Sequence, residues 1–122
     1  MDNSLFYRVG GDAAVEAAVN LFYENFINEP KIKGFFTDVD HDEQLVKLRK
    51  FFKSIMGGEE EFNRVELRDV HAPLVEKGLN DSHYDIFIKI MTQTLNELDI
   101  PVEIAEDFVE LCESFRDDVL GH

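Results

Sequence analysis

The sequence predicts an all-α domain. Apolar residues recur at three- and four-residue spacing along most of the chain. The glycine pairs Gly10-Gly11 and Gly57-Gly58 stand where those stretches stop. No hairpin signal of the Asn-Gly type appears. At 122 residues and 14.1 kDa, a single domain spanning 1–122 is expected.

The elements follow in order. Ser4 to Val9 reads as a short first helix or turn. Asp12 is the expected N-cap of the next helix. That helix runs to about Asn28, with Val15, Ala18, Val19, Phe22, Tyr23 and Phe26 on one face. Pro30 lies outside it, and Lys31 to Phe36 is a short helical turn ending in Phe35-Phe36. Asp40 and Glu43 suggest a capping box opening the helix that carries Gln44, Leu45, Leu48, Phe51, Phe52 and Ile55. Glu59 to Glu66 reads as loop. A short helix around His71 follows, with Pro73 tolerated only in its first turn. Asn80, Asp81 or Ser82 caps a helix bearing Tyr84, Phe87, Ile88, Met91, Leu95 and Leu98. Pro101 marks the start of the last helix, which buries Ala105, Phe108, Val109, Cys112, Phe115 and Val119.

His71 is the most informative residue. It shares an apolar stripe with Leu67, Val70, Leu74 and Val75, so the spacing turns it inward. Phe22-Tyr23, Phe35-Phe36, Gln44, Leu48 and Phe51-Phe52 supply apolar walls with a few polar groups. One inward histidine facing such a cavity is how a protein holds a flat metal-bearing cofactor by a single axial bond. The bland alternative is a core histidine bonded to a backbone carbonyl. Tyr23 and Gln44 weigh against it: each sits on an apolar face where a phenol or an amide needs a partner.

Composition excludes several classes. The formal charge is −14, from 26 acidic against 12 basic residues. Phosphate neutralisation needs a basic face, so neither a nucleic acid nor an anionic membrane is the expected partner. Cys112 is the single cysteine, so no intrachain disulfide forms and no Cys-x-x-Cys-His attachment motif exists. No leader-like or membrane-spanning segment is visible, and a cytoplasmic monomer or weak oligomer is expected. Asp38, Asp40 and Asp42 hint at calcium, but the turn glycine is missing and Arg49 occupies the twelfth position. His41 falls in the first turn of the Gln44 helix and is expected at the surface. His83 is expected to act as a cap.

Taken together, LFYRVGGDAAVEAAVNLFYENF, PKIKGFF, LRKFFKSIMGG and LRDVHAPLVEKGLNDSHYD, in that order, resemble the truncated haemoglobins, group I in particular. The resemblance covers nearly the whole chain. It implies a two-over-two helical sandwich around a non-covalent haem b, with the first helix nearly lost. It matches His71 to the proximal iron ligand, Tyr23 to the distal donor and Gln44 to a second polar contact. Phe36 matches the aromatic against the haem plane, and Tyr84 a position on the proximal side. Phe51 and Phe52 match residues near a ligand tunnel. Phe35, Leu48, Leu67 and Val70 complete the expected haem contacts. Lys47 stands where some relatives carry a sixth iron ligand. It is either a surface cation beside a propionate or a neutral amine on iron.

The implied activity is reversible binding of dioxygen, nitric oxide and carbon monoxide. Oxygen-dependent conversion of nitric oxide to nitrate would follow with a separate reductase, Tyr23 and Gln44 holding the oxygen. Negative charge builds on the outer atom of bound dioxygen, and a hydrogen bond to a charged group contributes ~1.5–3 kcal/mol. With Leu48 in place of an amide, the donor network is expected to be thin and oxygen release fast. A gas sensor or oxygen store read by a partner, and a haem-free interaction module, remain the alternatives.

Overall fold

The computed structural model describes residues 4–57 and 64–121, with side chains from residue 67 onward in the second segment. Eight α-helices occur among them: α1 Leu5–Val9, α2 Gly11–Ile27, α3 Pro30–Lys33, α4 His41–Ile55, α5 Arg64–Glu76, α6 Asp81–Glu97, α7 Val102–Glu113 and α8 Arg116–Leu120. A 3₁₀ turn, Gly34–Phe36, follows α3. No strand occurs among the described residues. No described helix is long and apolar enough to cross a membrane.

Helix α2 packs on α4, and α6 on α7; α2 against α6 joins the two pairs. Helix α5 packs on α8, at one end of this arrangement. Phenylalanines fill the seam between the pairs. Phe22 meets Phe52 and Phe87 edge-to-face at 6.1 and 5.3 Å, and Phe52 meets Phe108 at 5.7 Å. Phe22, Phe52 and Phe108 are almost wholly buried. Each such ring contributes roughly 1.5–3 kcal/mol through burial, and needs no polar partner as Trp would.

The helix ends explain where the expected boundaries shift. Gly10, at φ +121°, turns the chain between α1 and α2, and a Cβ there would lie 2.9 Å from that of Ala14. Helix α2 therefore starts at Gly11, one residue ahead of the expected cap, with Gly10 in the cap position. Asp12 falls in its first turn and reaches Lys53 at 3.1 Å. Asp40 does cap α4, accepting the Glu43 N–H at 3.2 Å. Glu43 itself turns toward Lys47 instead of closing the box. Asn80 caps α6, with the His83 ring accepting the Asn80 N–H at 3.0 Å as the reciprocal half.

Three expectations are corrected. Helix α5 is longer than a short turn and begins by Arg64, so 64–66 are helical; Gly58–Asn63 lie outside the described residues. Pro73 sits well inside α5. It removes a bond to the Asp69 carbonyl, and both residues are exposed, so solvent can serve that carbonyl. The last apolar run is two helices, with α7 ending at Glu113. The Ser114 hydroxyl donates to the Leu111 carbonyl at 2.6 Å and competes with the helix ladder there. Arg116 then fixes α8 by reaching Asp81, Asp85 and Glu113 at 3.0, 2.7 and 2.7 Å.

Candidate functional site

His71 is placed by α5 alone. Its Nδ1 lies 2.8 Å from the carbonyl of Leu67, one turn back, so Nδ1 carries the proton and donates. The Nε2 lone pair is then uncommitted. Burial, only partly opposed by that backbone bond, lowers the imidazole pKa and favours the neutral ring. Helix α5 is steadied by α8, with Arg68 reaching Asp118 at 3.7 Å.

The ring faces a cavity of about 760 Å³. Cofactor pockets run from ~300 to 1,000 Å³. Every expected cofactor contact lines it: Phe35, Phe36, Gln44, Lys47, Leu48, Phe52, Leu67, Val70, His71 and Tyr84. Val70 is 64% exposed although it lies on that lining, so a large apolar group faces the opening uncovered. Tyr84 is buried and donates its hydroxyl to the Cys112 carbonyl, tying α6 to α7. Burial and the neighbouring Cys112 and Glu113 push its phenol pKa upward.

Tyr23 departs from this pattern. It is buried on α2 but is absent from the cavity lining. Its ring packs edge-to-face on Phe36 at 6.0 Å, and its hydroxyl lies 2.8 Å from Nδ1 of His41. Burial, then the charge of Asp40, raises its pKa, so the phenol keeps its proton. His41 is exposed, as expected, yet it holds the one phenol assigned to the gas. The periodicity of the chain carries no sign of this pair. Its only trace is the cap at Asp40, which fixes where the first turn of α4 begins.

Lys47 is two-thirds exposed, and its ammonium lies 3.8 Å from Glu43. Residues assigned to the core also line the cavity, among them Cys112, Phe115 and Val119. The Cys112 thiol is buried, and burial raises its pKa, so it presents a neutral apolar wall. His83, besides capping α6, lines the cavity and meets Phe35 at 5.2 Å.

An all-helical chain that encloses an apolar cavity with one uncommitted imidazole has the architecture of a globin. Residues 4–121 match the bacterial-like globin family. The chain is 34% identical over 106 residues to the group 1 truncated haemoglobin GlbN of Synechocystis sp., covering 86% of both proteins. The 2/2 haemoglobin of Synechococcus sp., solved in the cyanomet state with covalently attached haem, superposes with a TM-score of 0.92 at 31% identity. It covers 98% of this chain and 99% of that one. The truncated haemoglobin of Tetrahymena pyriformis in its Fe(III) form gives 0.87 at 27% identity, over 98% and 100%. The chain belongs to the bacterial-like globins, within the group 1 truncated haemoglobins with a two-over-two fold.

Membership makes it a haem protein that binds diatomic gases. Its own residues fit that group. The Nε2 lone pair of His71 is available to a metal while Nδ1–H is anchored to a carbonyl, which is the usual arrangement of a ligating histidine. The uncovered face of Val70 is what a flat apolar ring would cover.

Proposed function

We propose that this protein binds dioxygen and other diatomic gases reversibly on a non-covalent haem b, and that with a separate reductase it converts nitric oxide to nitrate. The observation that carries the reading is the His71–Leu67 bond, which leaves Nε2 unengaged at an apolar cavity. Haem, when bound, supplies the iron that takes the gas and exchanges electrons. His71 would hold that iron through Nε2. Phe36 would pack against the haem, with Leu67, Val70 and Tyr84 on the same cavity lining. Leu48, Phe51 and Phe52 exclude water, which protects against oxidation. Gln44 offers the polar contact to the gas from the cavity wall. Tyr23 would be a second donor only when released from its bond with His41.

Non-covalent attachment is supported by the single cysteine. Cys112 keeps its proton in an apolar wall, and no Cys-x-x-Cys-His motif is present. The test is reconstitution with hemin, followed by visible spectra of the ferric, ferrous, oxygenated and carbonmonoxy forms. A Soret band that follows the protein, and haem that extracts into acid butanone, are expected. Haem that stays with the polypeptide would overturn non-covalent attachment. Sustained nitric oxide consumption with a reductase present is the expected result for the enzymatic half. One turnover and then arrest would reduce the proposal to gas binding alone.

A further inference from the structure

Tyr23 and His41 come from different elements, α2 and the first turn of α4. A phenol hydroxyl has one proton to give and lone pairs that accept. Against a neutral imidazole with a lone pair on Nδ1, that proton is directed to His41. Against an imidazolium, Nδ1–H donates to the phenol oxygen, and the hydroxyl hydrogen is released. Imidazole is the side chain that makes this change between about pH 5 and 8. His41 is exposed to solvent, whereas Tyr23 is buried.

The pair adjoins residues that line the cavity. His41, Gln44 and Leu48 are spaced three and four apart and share one face of α4, and Gln44 and Leu48 line the cavity. The phenol ring rests on Phe36, another cavity wall. We propose that His41 is a positioning residue for the gas site: its protonation state decides whether Tyr23 directs its proton to the histidine or offers it to a ligand in the cavity. This rests on the gas-binding reading above.

The surrounding charged groups are carboxylates and ammonium groups. Asp40 acts on Tyr23, and Asp42 and Glu43 flank His41 in its own turn, Glu43 being paired with Lys47. Glu24 follows Tyr23 on α2, and Lys33 and Asp38 flank the turn that carries Phe36. Carboxylates and ammonium groups as classes hold their charge between about pH 5.5 and 8.5. The imidazoles of His71 and His83 lie on the cavity lining, so variants at position 41 separate their contribution.

The haem-reconstituted protein is compared with His41→Ala and His41→Asn from about pH 5.5 to 8.5. Dioxygen dissociation is followed by stopped flow, and the C–O stretch by infrared spectroscopy of the carbonmonoxy form. In the wild type, dissociation should quicken with rising pH by a factor on the order of 10. Its two C–O bands should exchange intensity over the same range. His41→Ala, with no acceptor for the phenol, should be slow at every pH. His41→Asn places an amide oxygen near the position of Nδ1 and should be fast at every pH. Each variant should show one C–O band. A wild-type profile that is flat, or that survives in His41→Ala, overturns this proposal alone. Protein that takes up no haem in any of the three overturns it together with the gas-binding reading.

Discussion

The α5 wall of the cavity and the region behind its α4 wall hold their polar groups in different ways. On the α5 wall, His71 is oriented by a carbonyl of its own helix, four residues back. Behind the lining, the phenol of Tyr23 on α2 is oriented by the exposed ring of His41 on α4, eighteen positions away in sequence. The first arrangement is local and changes only if α5 unwinds. The second depends on the docking of α2 against α4 and on a solvent-exposed ring. A ligand to a metal gains from the first, because a fixed tautomer keeps one nitrogen available at all times. A donor that regulates release gains from the second.

The largest expected effect comes from breaking the α5 wall. His71→Ala should weaken haem retention by more than about 100-fold, since loss of an outer partner of a metal ligand alone costs 10- to 100-fold. Transfer of hemin to an acceptor protein measures it. A transfer rate equal to that of the wild type would remove His71 from the site.

The same ring gives the next effect, on the apoprotein. Burial sets the folded pKa of His71 below its ordinary value of about 6.5. Below that value the unfolded chain takes a proton that the folded chain refuses. Stability is therefore intact at higher pH, falls as pH drops through about 6.5, and stops falling below the lowered folded value. Urea unfolding at a series of pH values should show the wild type losing stability relative to His71→Ala in acid. Parallel curves would mean that His71 is not held neutral.

The contrast between the walls also decides what was legible in the sequence. The stripe of Leu67, Val70, His71 and Leu74 falls on the cavity lining because helical spacing is a local property, and the other residues expected to contact a cofactor line the same cavity. The Tyr23–His41 contact was not legible, because the phase of α4 relative to α2 is set by packing. Cys112, Phe115 and Val119 read as core because apolar periodicity does not distinguish a packed face from a cavity wall. Pro73 misled for a related reason. The rule against interior proline assumes a carbonyl that must be bonded within the helix, and here that carbonyl belongs to exposed Asp69.

Leu48 lets the α4 wall be sharpened without touching the Tyr23–His41 pair. It lines the cavity one turn beyond Gln44. Leu48→Gln adds a second amide and should slow dioxygen release by roughly 10-fold, the effect of one hydrogen bond to a charged group. Carbon monoxide release should change less, since that ligand carries less charge. Equal slowing of both gases would point to a steric cause instead.

The smallest effect is expected at Lys47, where the two walls would meet if its amine bound the iron opposite His71. The ammonium rests near Glu43, and the side chain is two-thirds exposed. To coordinate, it would have to leave that carboxylate, lose its proton and bury its stem, and an exposed lysine gains more from water. Lys47→Ala should leave the absorption spectrum of the ligand-free ferrous and ferric protein unchanged. A spectrum that moves from low spin toward high spin in the variant would instead place the amine on the iron, and gas entry would then begin with its displacement.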